Sequence, residues 1–115
     1  MKVINNTYIA TFLTATSRET KYPYQDWRKI KYFSRTGLLL IIKMNGTNYY
    51  LQWHPLENTK DTVDYSKGIL SSTGQYTITS DNLLCFVSKN SEYLFKLTEK
   101  KPEKYIALKP IPKIW

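Results

Sequence analysis

Asn45-Gly46 sits between two runs of strand-forming residues, in the stretch LLLIIKMNGTNYYLQW. Both central positions of a type I′ turn need positive φ, and Asn-Gly meets that need at little steric cost. The dipeptide therefore directs the chain back on itself as a hairpin. A two-residue loop sets Met44 opposite Thr47, Ile42 opposite Tyr49, Leu40 opposite Leu51 and Leu38 opposite Trp53. That face is almost wholly apolar. The opposite face pairs Lys43 with Asn48, Ile41 with Tyr50 and Leu39 with Gln52, and it is mixed. In this register a slip of one residue would bury Lys43.

The downstream sequence repeats the same grammar. In GQYTITSDNLLCFVS, Tyr76 and Ile78 alternate with small polar residues. Ser80-Asp81-Asn82 forms a polar turn, after which Leu84 and Phe86 join the same face. Tyr93, Phe95 and Leu97 then share a face, with Lys96 and Thr98 on the other. A turn at Lys101-Pro102-Glu103 leads to Ile106 and Leu108, and Pro110 and Pro112 end the ladder. Residues 75–109 thus read as a four-strand meander, and 62–70 offers one more strand. Upstream, Tyr8, Ala10 and Phe12 alternate as a strand. KYPYQDWRKIKYF reads as a turn followed by a basic strand with Ile30 and Tyr32 inward. A short helix capped near Asp26 is the other reading. Residues 54–61 are loop.

A chain of 115 residues is one domain, 1–115, and its 42% hydrophobic content is enough for a packed core. Aromatic residues make up 15% and glycines number only four, which favours strands over loops. Seven or eight short strands joined by tight turns would leave open edges unless the sheet curls on itself. The expectation is all-β: an antiparallel up-and-down meander closed or curled into a small barrel of about eight strands, with little helix.

Gly74, Tyr76-x-Ile78, the polar turn, Leu84-x-Phe86, a second turn and Tyr93-x-Phe95 resemble the second half of small lipocalin-like (calycin) domains. There a G-x-Y-x-I, L-x-F, Y-x-G cadence marks successive barrel strands. The resemblance covers residues 62–109. No Gly-x-Trp motif stands near the N-terminus, and no glycine follows Phe95. The resemblance implies an up-and-down barrel with an apolar ligand in its mouth, and it implies no catalytic residue.

Net charge is +8, unevenly spread. Segments 18–35 and 89–113 each carry net +4, while 36–88 carries −1. Such ends suit an anionic partner, although a solvated lysine-rich surface gives the same composition. Within 21–35, Lys21, Arg28, Lys29, Lys31 and Arg35 interleave with Tyr22, Tyr24, Trp27, Tyr32 and Phe33. Cations beside aromatic faces suit single-stranded nucleic acid, and equally an acidic protein anchored by Trp, Tyr and Arg. A basic amphipathic strand with its rings in the core would look the same.

No motif for catalysis or metal binding emerges. His54 is the only histidine, and it precedes Pro55 in a loop with Glu57 and Asp61 nearby. Cys85, the only cysteine, lies in an apolar run and reads as a small buried hydrophobe. Asp61 and Asp64 flank Val63 without further support for acid–base work. The four glycines are isolated, so there is no phosphate-cradling loop. The N-terminal stretch is interrupted by Asn5, Asn6, Thr7 and Thr11 and does not read as a signal peptide. No run reaches the length of a membrane span, so the expected location is cytoplasmic. Ile111, Ile114 and Trp115 in the C-terminal KPIPKIW are costly to leave wet and are expected to pack.

The first functional expectation is a non-enzymatic binding protein. It would hold a small apolar or amphipathic ligand inside the barrel, walled by Leu40, Ile42, Leu51, Trp53, Tyr76, Phe86 and Phe95. The alternative is a small basic inhibitor or immunity-type protein. It would bind an acidic macromolecule, a protein before single-stranded nucleic acid, through Tyr24, Trp27, Arg28, Lys29 and Lys31. Neither reading calls for a cofactor or a metal.

Overall fold

A computed structural model describes residues 3–17, 27–44, 46, 48–57 and 62–98. Seven strands follow one another: β1 (Val3–Ser17), β2 (Thr36–Lys43), β3 (Tyr49–Pro55), β4 (Ile69–Leu70), β5 (Gly74–Ile78), β6 (Leu83–Ser88) and β7 (Ser91–Leu97). Among the described residues, one helix, α1 (Trp27–Tyr32), lies between β1 and β2. The strands are ordered β2-β1-β7-β6-β5-β3-β4, and β2 also pairs with β3. That last pairing closes the ring. All pairings are antiparallel, so the sheet is an up-and-down barrel. β4 and β5 share one position in the wall, both lying along β3.

The wall is built by the alternation in the sequence. In β6 and β7, Leu84, Phe86, Tyr93 and Phe95 point inward, and the β5–β6 hairpin pairs Tyr76 with Phe86 and Ile78 with Leu84, with Ile78 exposed at the strand end. Asn82 supplies the positive φ of its turn. β1 carries two register shifts, between Ile4 and Asn6 and between Phe12 and Thr14. The second reverses the strand's parity, so Ala10, Phe12 and then Ala15 all enter the core. Bulges bend and coil a long strand, which lets β1 serve β2 with one half and β7 with the other.

The β2–β3 register differs from the sequence expectation by one residue. Ile42 lies opposite Tyr50, Ile41 opposite Leu51 and Leu39 opposite Trp53. Met44 N–H donates to Asn48 O at 2.8 Å, so three residues form the loop rather than two. Gly46 holds the positive φ there. The cause is legible in β2 itself. Five successive apolar residues, Leu38 to Ile42, carry no alternation and cannot fix which face turns inward. Leu39 and Ile41 face the interior, while Leu38, Leu40 and Ile42 join a second apolar cluster with Ile9, Tyr50, Leu56 and Val63. Lys43, at the strand end, stays exposed.

The segment after residue 26 is helical, which corrects the strand reading. Arg28 and Tyr32, four residues apart, share the buried face. Ser34 adopts φ 66° and ends the helix as a left-handed cap. Ser34 N–H then donates to Phe12 O, and Phe12 N–H donates to Arg35 O, which pins the helix exit to β1. Tyr32 faces inward as expected, but Ile30 faces solvent. The expected strand at 105–109 and the C-terminal packing fall outside the described residues. No described helix is long and apolar enough to cross a membrane.

Candidate functional site

The barrel interior is occupied by its own side chains. Trp53 stands at its centre, with ring centroids 5.2 Å from Tyr32, 5.9 Å from Phe12 and 6.0 Å from Phe95. Its indole N–H donates to Ala10 O at 3.1 Å, so the one polar atom of the ring is satisfied. Of the expected wall residues, Leu51, Trp53, Phe86 and Phe95 meet in this core. Tyr76 packs at its edge against Tyr49 and accepts a hydrogen bond from the Asn6 amide. Leu40 and Ile42 lie on the opposite face of β2, a consequence of the register described above.

α1 closes against this core. Arg28 is only 9% exposed. Its Nη1 donates to Ser91 Oγ at 3.0 Å and to Tyr93 Oη at 2.7 Å, with the guanidinium 5.0 Å from the Tyr93 ring centroid. Tyr32 enters the core and its hydroxyl accepts Gly68 N–H at 3.0 Å. Two buried side chains therefore fix the helix, and they leave the other face outward. Trp27 is 57% exposed, Ile30 73% and Phe33 57%. Lys31 is exposed beside them and Lys29 half-exposed. These are the largest apolar exposures among the described residues. Arg28 thus anchors the helix rather than facing outward with Lys29 and Lys31, and Tyr24 lies outside the described residues. The spacing of Trp27, Ile30 and Phe33, three apart, was present in the sequence, but a strand reading dispersed it over two faces.

A second feature lies outside the wall at β3. With Trp53 inward, Gln52 and His54 point outward, and both are buried. His54 Nδ1 lies 2.8 Å from Lys67 O. A carbonyl only accepts, so Nδ1 carries a proton and donates. Burial holds the His54 pKa below its ordinary value, although the Lys67 carbonyl and Asp64 act in the other direction. In the neutral ring Nε2 is then an acceptor. The Gln52 amide, 3.1 Å away, must present its NH2 to it. Gln52, His54 and Lys67 thus form one directed chain of hydrogen bonds. This arrangement shows that His54 is a structural acceptor–donor rather than a surface loop residue.

The sign of the pH effect follows from that burial. An unfolded chain binds a proton to His54 more readily than the folded one. Stability from the neutral ring is full above the ordinary histidine pKa and is lost as pH falls below it. Urea midpoints measured between about pH 7.5 and pH 5 should fall more steeply for the native chain than for His54→Asn. Asn keeps an N–H for Lys67 O but does not titrate. Parallel slopes would remove His54 as the source.

Cys85 lies on the outer face of β6, half-buried between Thr77 and Leu94. Asp64 accepts from Ser66 N–H and Oγ–H and pairs with Lys67 at 3.8 Å, which makes it a loop-forming carboxylate. Asp61 lies outside the described residues. Among the described residues no group of three or more His, Cys, Asp or Glu could hold a metal. No family model, curated protein or solved structure matches the chain.

Proposed function

We propose that this chain is a non-enzymatic binding protein that docks an acidic protein through the outer face of α1. The observation that carries the reading is the run of Trp27, Ile30 and Phe33, each more than half exposed, beside Lys29 and Lys31. Large apolar side chains gathered on one surface are costly to keep wet and mark contact sites. The helix is held by Arg28 and Tyr32, so its face is presented with little ordering cost on binding. The charge of +4 over residues 18–35 favours an acidic counterpart. Ile30, the most exposed of the three, has no ring on which a base could stack. That favours a protein over a single-stranded nucleic acid. An interior ligand, as the lipocalin-like resemblance implies, would have to displace Trp53 or its ring partners. For that reason the surface reading is preferred.

The test is affinity capture with the native chain, a Trp27→Ala/Ile30→Ala/Phe33→Ala variant, and a Leu70→Ala/Ile78→Ala/Val87→Ala control from other exposed positions. The native chain and the control should retain the same acidic protein. The helix variant should bind it at least about a hundredfold more weakly. Lys29→Glu/Lys31→Glu should weaken it most at low salt. Retention that survives the helix variant, or that nuclease abolishes, would refute the assignment.

A further inference from the structure

Asn45-Gly46, the dipeptide that turns the chain between β2 and β3, carries chemistry as well as geometry. A main-chain nitrogen that follows an asparagine can attack the side-chain amide carbon of that asparagine. The attack needs a nitrogen that is solvated, free of hydrogen bonds and unshielded by a Cβ. Gly46 meets each condition. It is exposed, and a Cβ built on it would meet nothing within 4 Å. Its N–H has no hydrogen-bond partner among the described residues. Asn45 itself lies outside the described residues, and the sequence supplies its side-chain amide. The dipeptide stands at the end of β2 away from α1, and its chemistry does not depend on the reading of that helix.

The other asparagines with described successors lack this opening. Leu83 N–H, after Asn82, donates to Thr79 Oγ1 at 3.2 Å. Ser91 N–H, after Asn90, donates to Ser88 Oγ at 2.9 Å, and Ser91 is buried. Asn6, Thr7 and Tyr49, which follow Asn5, Asn6 and Asn48, are paired in strands. All of these successors carry a Cβ, and all are tied into the sheet or its turns.

We propose that Asn45 is a site of spontaneous deamidation, and that the change loosens the seam of the barrel. The Gly46 nitrogen gives up its proton and bonds to Asn45 Cγ, and the side-chain nitrogen leaves as ammonia. Water then opens the cyclic imide. Cleavage of the bond from Gly46 N to Cγ leaves aspartate. Cleavage of the bond from Gly46 N to the main-chain carbonyl carbon of residue 45 leaves isoaspartate. The main chain of that product runs through Cβ and Cγ and is longer by one carbon.

The place of the extra carbon decides its effect. Met44 N–H donates to Asn48 O at 2.8 Å, so residues 45–47 make the whole connection. The β2–β3 pairing that they join closes the ring. Leu38 to Ile42 is buried on both faces, so alternation does not hold the register of β2 and the turn must. Gly46, at φ 65°, is fitted to a loop of that length. Isoaspartate lengthens the loop and strains the closing hairpin. Aspartate keeps the main chain and adds only a negative charge.

The experiment holds the folded full chain at body temperature in buffers of rising pH. Isoelectric focusing, peptide mapping and methylation by isoaspartyl methyltransferase follow the products. A more acidic form should accumulate over days, at a rate that rises with hydroxide. Peptide mapping should place the change at Asn45 before any change at Asn82 or Asn90, with isoaspartate as the larger product. Asn45→Gln, whose longer side chain closes a less favourable ring, should slow the conversion at least about tenfold. The isolated isoaspartate form should have a lower urea midpoint than Asn45→Asp. The site is overturned if the urea-unfolded chain converts and the folded chain does not, if another asparagine changes first, or if Asn45→Gln converts as fast as the native chain. Equal urea midpoints for the isoaspartate form and Asn45→Asp overturn the loosening of the seam.

Discussion

Trp53→Ala should cost about 4 kcal/mol of folding stability, read as a lowered urea midpoint at unchanged slope. The side chain is fully buried and touches Phe12, Tyr32 and Phe95 in the middle of the barrel. Removing it deletes the largest buried side chain among the described residues. It also leaves Ala10 O without its indole donor. The surrounding rings come from β1, α1 and β7, all fixed by backbone pairing, so collapse into the void is incomplete. The void is apolar and should admit indole. Added indole should therefore raise the melting temperature of the variant and leave that of the native chain unchanged. A loss below about 1.5 kcal/mol, or stabilisation of the native chain by indole, would mean that the interior has room to spare.

Gly68→Ala should cost about 3 kcal/mol or more of folding stability. Two separate costs combine. The φ of 138° lies where residues with a Cβ are strained. The added Cβ would also overlap the Trp53 carbonyl, a backbone atom that cannot turn aside. Relief requires β4 to leave β3, which breaks the pairs Gln52 with Leu70 and Trp53 with Ile69. It also withdraws Gly68 N–H from Tyr32, so α1 should loosen with it. Thermal unfolding reports the first effect, and the resonance position of the assigned Trp27 indole N–H the second. A variant within about 1 kcal/mol of the native chain would show that the 64–68 loop is not held as described.

The parts of the fold that were legible in the sequence are those where apolar and polar residues alternate. Leu84, Phe86, Tyr93 and Phe95 fell onto one face because β6 and β7 each have one dry and one wet side; Tyr76 and Ile78 pair opposite Phe86 and Leu84, but Ile78, at the end of β5, is exposed. The β2–β3 register was not legible, because Leu38 to Ile42 is apolar on both faces and the loop contains one residue more than Asn-Gly suggests. That one-residue error placed Leu40 and Ile42 in the core, where the structure has Leu39 and Ile41, while the facing of β3, with Leu51 and Trp53 inward and Tyr50 and Gln52 outward, was read as it is found. The helix was the less favoured of two readings for a related reason. Its buried face is carried by Arg28 and Tyr32, a charged and a polar aromatic residue, and its apolar residues face solvent. The spacing of Trp27, Ile30 and Phe33 is helical, but the six-residue helix runs under two turns and its apolar stripe marks the solvent face rather than a buried one.

The inversion and the filled core come together in two indoles. Trp53 is fully buried with its N–H bonded to Ala10 O, while Trp27 is more than half exposed. Hydrogen exchange at the assigned indole N–H groups tests both claims in one measurement. The Trp53 N–H should exchange only through global unfolding, and its rate should not change when an apolar ligand such as anilinonaphthalene sulfonate is added. The Trp27 N–H should exchange at the solvent rate. A Trp53 N–H that exchanges as fast as that of Trp27, or that shifts on adding the apolar ligand, would contradict a barrel packed with its own side chains.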